Sequence, residues 1–306
     1  MKVSIIGAGN VGSTTAMRLA QEGLSHILLI DIAKGLAQGK AFDLEDAKSI
    51  LKINYNIKGS EDINEIKGSD IIVITAGLPR KPGMTREELL SKNAQIIKDI
   101  SLNIKRLCPD SIVIVVTNPL DLMTYFALKV TGIKPQRLFG MGVSLDAARF
   151  ANLIAQELNI PASDIEPCVI GPHGEGMLPL AKFTTIKGVS LGEFLDDKKI
   201  ESLASRVVGR GLEIVSLLGS GSAYFAPSAA VASIVKAIAK DEKRTTGISA
   251  YLNGEYGLKD ICIGVPVRLV RNGIEKIIEL DLSQEEKKRL SESAESLRKL
   301  IAGLPL

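Results

Sequence analysis

Two histidines, His26 and His173, are the whole supply of side chains that titrate near neutral pH without perturbation. His173 stands in Gly171-Pro172-His173-Gly174-Glu175, a glycine-flanked turn after an apolar run, where an imidazole has no packing role. Asp146 and Arg149 are three residues apart in an amphipathic stretch and so share one helix face; that spacing ordinarily marks a surface ion pair. Gly77-Leu78-Pro79-Arg80-Lys81-Pro82-Gly83-Met84-Thr85-Arg86 concentrates cations between glycines, which in isolation reads as a solvated basic loop. Asn118-Pro119 follows another apolar run and adds an amide. A proton carrier, a carboxylate and several guanidinium forks are together what hydride transfer to a keto acid requires.

The partner for such chemistry is written near the start. Gly7-Ala8-Gly9-Asn10-Val11-Gly12 follows a short apolar run and opens an amphipathic stretch. In that pattern Gly7 permits a tight turn, Gly9 lets the backbone approach a pyrophosphate, and Gly12 lets a helix pack close to its sheet. The helix N-terminus presents free N–H groups to phosphates. Asp31 ends the next apolar run, where a carboxylate accepts from both ribose hydroxyls and repels a 2′-phosphate. Dinucleotide binding follows, with NAD preferred over NADP.

These residues need a scaffold that brings them to one edge. Continuous Val/Ile/Leu runs at 3–6, 26–30, 71–75 and 112–117 have the length of strands buried on both faces. Between the last two, Thr85-Arg86-Glu87-Glu88 has the spacing of a capping box and predicts a helix that closes at Pro109. Strand alternating with helix implies a doubly wound parallel sheet, a Rossmann-type α/β fold. Beyond about Gly140 the pattern changes. A helix over 145–158, a strand over 165–170, strands at 245–252, 261–270 and 274–280, and a turn at Asn272-Gly273 predict an α+β unit with antiparallel pairing. Ser283 to Glu286 predicts a second capping box and a final helix striped by Leu290, Ala294, Leu297 and Ile301. The expected organisation is a dinucleotide-binding domain over 1–140 and a substrate domain over 141–306.

Composition excludes several classes. With 306 residues, 38 Lys+Arg against 35 Asp+Glu and a net charge of +3, the chain lacks the basic excess of a nucleic-acid or membrane-surface binder. Cys108, Cys168 and Cys262 are widely spaced and form no C-x-x-C pair, so neither a disulfide framework nor a structural zinc site is indicated. A reducing, cytoplasmic setting is expected, and the residues opening the chain do not read as a signal peptide. The uncharged stretch 214–235 has transmembrane length, yet Gly219, Gly221 and Pro227 interrupt it, and it reads as a buried loop and helix.

In order and surroundings, the Gly7–Gly12 turn, Asp31, the loop at 79–86, Val116-Thr117-Asn118-Pro119, Leu145-Asp146-Ala147-Ala148-Arg149-Phe150 and the His173 turn resemble the lactate/malate dehydrogenases over nearly the whole chain. The resemblance implies His173 as proton carrier, Asp146 as its orienting partner, Arg149 on the substrate carboxylate and Arg86 polarising the carbonyl. It implies Asn118 beside substrate and nicotinamide. Gly7, Gly9, Asn10, Val11, Gly12, Asp31, Thr75, Ala76, Gly77, Asn93, Val116 and Asn118 are the expected NAD contacts. No metal is expected. Glu175 and Gly176 depart from the acid and hydroxyl residue usual after the histidine–glycine pair, and Pro172 is also unusual; these touch the bracing of the turn rather than the proton chemistry.

Arg80 directs the expected substrate. Lactate enzymes of the family generally carry glutamine at this loop position and malate enzymes carry arginine. Oxaloacetate has two carboxylates, one for Arg149 and one for Arg80, whereas pyruvate would leave Arg80 buried opposite a methyl group. The expectation is therefore reversible oxidation of (S)-malate to oxaloacetate, a tricarboxylic acid cycle reaction, in a homo-oligomer with a tetramer favoured over a dimer. A lactate or other 2-hydroxyacid dehydrogenase is the nearest alternative. An NAD-dependent glycosidase with metal on Cys168 and His173, or an NAD(H) sensor without turnover, is more remote.

Overall fold

A computed structural model describes residues 1–24, 26–78 and 85–304 of the chain, with Arg86 described in its backbone only. Arg80 and the Arg86 side chain thus lie outside the described residues.

The first half alternates as its periodicity predicts: β1 (Lys2–Ile6), α1 (Asn10–Gln21), β2 (His26–Ile30), α2 (Leu36–Asp46), the short α3 (Lys48–Leu51), β3 (Asn56–Ser60), β4 (Ile71–Ile74), α4 (Arg86–Leu107), β5 (Ile112–Val115), α5 (Leu120–Thr131) and β6 (Leu138–Gly140). The strands pair in parallel in the order β3-β2-β1-β4-β5-β6. Every residue of β4 and β5 is buried, because helices cover both sheet faces. The order reverses between β1 and β4, and the crevice at that switch point is where such sheets take ligands. α4 begins with the predicted capping box, Thr85 accepting from the Glu88 backbone while the Glu88 side chain accepts from Thr85 N–H. β3 has no counterpart in the sequence reading. As an edge strand it buries only part of its length, so Asn56-Ile57-Lys58-Gly59-Ser60 carries no apolar run.

The second half contains α6 (Val143–Leu158), β7 (Ile165–Glu166), β8 (Val169–Ile170), β9 (Leu178–Pro179), β10 (Thr185–Ile186), β11 (Val189–Ser190), α7 (Asp197–Leu218), α8 (Phe225–Ala239), β12 (Arg244–Asn253), β13 (Lys259–Val270), β14 (Gly273–Ile277) and α9 (Gln284–Ile301). β12, β13 and β14 are antiparallel and extend the main sheet to nine strands through one residue pair, Ser249 with Gly140. The two halves therefore share a sheet as well as an interface. A separate apolar cluster of Val143, Phe150, Leu153, Ile154, Leu203 and Val207 locks α6 against α7, which fixes the helix that carries Asp146 and Arg149.

Three expectations are corrected. The strand expected over 165–170 splits at Pro167, which has no N–H for a ladder: β7 pairs with β10 and β8 with β9. The β13–β14 hairpin turns at Arg271-Asn272, one residue early, with Gly273 already paired to Val270. In the stretch 214–235, residues 219–222 are exposed, not buried, and only α8 presents a buried face. Among the described residues no helix is long and apolar enough to cross a membrane.

Candidate active site

The carboxyl ends of β1, β2, β4 and β5 converge on one crevice. Gly7 turns the chain with φ +106°, and a Cβ there would lie 2.6 Å from Ala76 N. At Gly12 a Cβ would meet Gly7 O at 1.9 Å, so α1 can start this close to the sheet only without a side chain. A Cβ on Gly9 would meet nothing within 4 Å, which leaves open space above the turn. α1 begins at Gly9 with no side-chain cap and no acid in its first turn. Its leading N–H groups are thereby available to an anion, and this donor set fits the pyrophosphate of a dinucleotide. Asn10 and Gly9 are exposed at the crevice and Val11 is half-buried.

Asp31 sits beside this turn. One carboxylate oxygen accepts from Ala8 N at 2.7 Å and the other from Ala33 N at 2.9 Å. The acid thus ties β2 to the glycine turn and keeps lone pairs for a diol. On the far side Thr75 donates to Gly7 O at 2.9 Å, and Ala76 N–H donates to Ile6 O. Gly77 packs so close to Thr117 that a Cβ would lie 2.4 Å from its methyl. Val116 N–H continues the sheet to Ile74 O. Asn93, buried on α4, accepts from Leu78 N and donates to Leu78 O and to Asn118 O at 2.7 Å. Its amide thereby braces the Leu78 backbone against that of Asn118. Asn118 is exposed at the end of β5.

The second cluster lies on elements of both halves. Asp146 occupies the first turn of α6, where the helix dipole favours a negative charge, and it is fully buried. One of its oxygens is 2.7 Å from His173 Nδ1, and the other accepts from Arg149 Nη1 at 3.2 Å. The spacing that resembles a surface pair is thus a buried bridge from one carboxylate to two cation-forming groups. His173 is carried by the turn between β8 and β9, which is pinned to β13 by paired hydrogen bonds between Gly171 and Gly264. Burial alone would lower the imidazole's pKa. The charge and hydrogen bond of Asp146, with the charge of Asp121, outweigh burial and Arg149, so it is raised above its ordinary 6.5. Among the described residues Arg149 Nε is buried without a hydrogen-bond partner, and Gly211 of α7 lies against the guanidinium tip, where a Cβ would stand 3.7 Å from both terminal nitrogens.

Asp121 was not singled out in the sequence. It lies in the first turn of α5, buried, and accepts from His173 N–H at 2.7 Å and from Ser249 Oγ at 2.6 Å. Asn118-Pro119-Leu120-Asp121 places it directly after a motif already noted, but its partners lie 52 and 128 residues away. By contrast, the Cys168 thiol is pushed up to about 12 by burial, and no group of three or more metal-ligating side chains is gathered among the described residues.

Known proteins match this arrangement from end to end. The family model described as lactate/malate dehydrogenase, NAD binding domain, matches residues 1–140, and that described as lactate/malate dehydrogenase, alpha/beta C-terminal domain, matches 143–304. A malate dehydrogenase from Methanosarcina mazei is 49% identical over 306 residues, covering all of both chains. The solved malate dehydrogenase from Picrophilus torridus in its apo form superposes with a TM-score of 0.95 at 41% identity, covering 98% of this chain and 96% of that one. The lactate dehydrogenase from Cryptosporidium parvum, complexed with lactic acid and nicotinamide adenine dinucleotide, gives 0.95 at 36% identity, covering 99% and 97%. With a Rossmann-type first half that binds NAD and a second half that brings a histidine, an aspartate and an arginine together beside it, the chain belongs to the lactate/malate dehydrogenase family.

Proposed function

We propose that this protein is an NAD-dependent malate dehydrogenase, interconverting (S)-malate and oxaloacetate. The observation that carries the chemistry is the buried Asp146 bridging His173 and Arg149. Arg80 in the loop after β4, together with full-length similarity to proteins named malate dehydrogenase, favours the dicarboxylate over pyruvate. NAD supplies a hydride acceptor when bound. The chain supplies the rest. Arg149 forks the carboxylate next to the reacting carbon, and its Nε has no hydrogen-bond partner among the described residues. His173 takes the proton of the C2 hydroxyl on Nε2, while its Nδ1–H stays on Asp146, which favours the imidazolium that forms. The resemblance gives Arg86 the charge on the substrate oxygen and the segment 79–86 the exclusion of water. Asn118, at the end of β5, borders substrate and nicotinamide, and residues 1–140 and 141–306 act as cofactor and substrate domains.

The assay is NADH oxidation with oxaloacetate beside pyruvate, repeated with NADPH. Oxaloacetate and NADH should be preferred; faster turnover of pyruvate would move the assignment to a lactate dehydrogenase. Asp31→Ser should narrow the NADH preference by roughly tenfold or more, since a hydrogen bond to a charged group is worth about 1.5–3 kcal/mol. Equal use of both cofactors by the parent would contradict the role given to Asp31.

Direction of reaction should invert the pH profile. Malate oxidation needs neutral His173, and the raised pKa holds the proton on. Its kcat/KM should therefore rise with pH to a plateau, with a midpoint above 6.5. Oxaloacetate reduction needs the imidazolium and should fall through the same midpoint. A midpoint at or below the ordinary value in both directions would count against the Asp146 bridge as drawn.

A homo-oligomer, tetramer before dimer, belongs to the same reading. Ile32, Phe42 and Ile50 around α2 and α3, and Leu212, Leu217 and Phe225 around the α7–α8 junction, are exposed apolar side chains that a second copy could cover. Sedimentation equilibrium should return a mass of several chains. A cytoplasmic location and a place in the tricarboxylic acid cycle fit the three free thiols and the substrate.

A further inference from the structure

We infer that Asp121 is a positioning residue for the proton transfer, its buried carboxylate fixing the backbone of His173 and adding a second negative charge to the imidazole's surroundings. The inference rests on His173 as the proton carrier and concerns what aims it. Asp146 holds only the ring of His173. The turn that carries the ring is held from α5, where Asp121 Oδ2 accepts from His173 N–H at 2.7 Å. Its other oxygen accepts from Ser249 Oγ at 2.6 Å. Ser249 is fully buried and forms the single pair joining β12 to β6 at Gly140. One carboxylate thus ties together the cofactor half, the junction strand and the turn of the proton carrier.

A charge is a poor choice for a merely structural tie at a site this dry. Burying a carboxylate is costly unless its hydrogen bonds offset it, and an asparagine could accept a backbone N–H as well. Burial pushes the Asp121 carboxyl up and Asp146 adds to this, while the Ser249 and His173 hydrogen bonds and the charge of His173 oppose it. The groups facing the pair are Asp146 and Arg149 on α6, Ser249 on β12 and Cys262 on β13, whose thiol burial keeps neutral. An imidazolium between two carboxylates, with one arginine opposing, is favoured by both.

With only two histidines in the chain, NMR of 15N-histidine-labelled protein reads His173 directly, with His26 as internal reference. In Asp121→Asn the His173 midpoint should fall by about half a pH unit or more, as loss of a neighbouring opposite charge requires. The His-dependent limb of the kcat/KM profile should move with it, kcat should drop at least tenfold, and the Kd for NADH should hold. Ser249→Ala keeps the charge and removes one tether; it should lower kcat several-fold with a smaller shift of the midpoint. A parental midpoint and kcat in Asp121→Asn would overturn the inference, as would a parallel loss of NADH affinity, which marks general loosening. If Asp121→Asn does not fold, Ser249→Ala decides, and parental kcat there overturns it. Turnover retained in His173→Asn would sink the proton-carrier reading instead, whatever Asp121→Asn does.

Discussion

Turnover in His173→Asn is expected to fall by about 10²–10⁴, the span that a positioned general acid contributes, while NADH binding stays near parental. Asparagine can still donate to Asp146 from a similar place, so the turn between β8 and β9 keeps its hydrogen bond and loses only the proton carrier. The cofactor crevice lies on other elements, the ends of β1, β2, β4 and β5, and has no hydrogen bond to the imidazole among those described. Stopped-flow NADH binding beside steady-state turnover separates the two effects. Asp146→Asn should slow turnover in the same sense, because the imidazolium loses its main opposite charge. Substantial activity in His173→Asn would require another acid, and His26 at the start of β2 is at the opposite strand end from the crevice.

Substrate choice should change at Arg80. Arg80→Gln is expected to lower kcat/KM for oxaloacetate by about 10² or more, since a desolvated carboxylate left without its cation costs roughly 3–5 kcal/mol. Activity on pyruvate should rise, because the closed complex no longer buries an unpaired charge opposite a methyl group. Arg149→Lys should injure both substrates. The carboxylate next to the carbonyl is common to them, and an ammonium reproduces neither the planar fork nor the bridge to Asp146. The measurement is kcat/KM for both keto acids in the parent and the two variants. Equal loss on both substrates in Arg80→Gln would make Arg80 a general loop residue and remove the main physical support for malate.

Local chemistry was readable in the order of residues. The tight turn from β1 into α1 depends on glycines at fixed offsets, and the acid that follows β2 bonds back to that turn; all of it lies between Gly7 and Asp31. Both capping boxes form where their spacing places them, because a cap is made within four residues. Buried parallel strands announce themselves as Val/Ile/Leu runs, so the doubly wound half was legible, apart from β3, an edge strand with little to bury. Pro167 was in plain view at the centre of a predicted strand, and its missing N–H explains the split into β7 and β8.

Tertiary structure decided what no local pattern holds. Asp146 and Arg149 are spaced like any solvated i,i+3 pair, and only the packing of α7, α8, β12 and the His173 turn around α6 makes their bridge a buried one. Asn93 is an expected cofactor contact from resemblance; the fold adds that its amide bonds the Leu78 and Asn118 backbone, 15 and 25 residues away. Asp121 meets His173 and Ser249 across 52 and 128 residues of chain. The side-chain periodicity of helix or strand encodes which face is apolar, not which distant donor a buried carboxylate will meet. That pairing exists only once β12 has joined β6 at Gly140 and the β8–β9 turn has docked beneath α5.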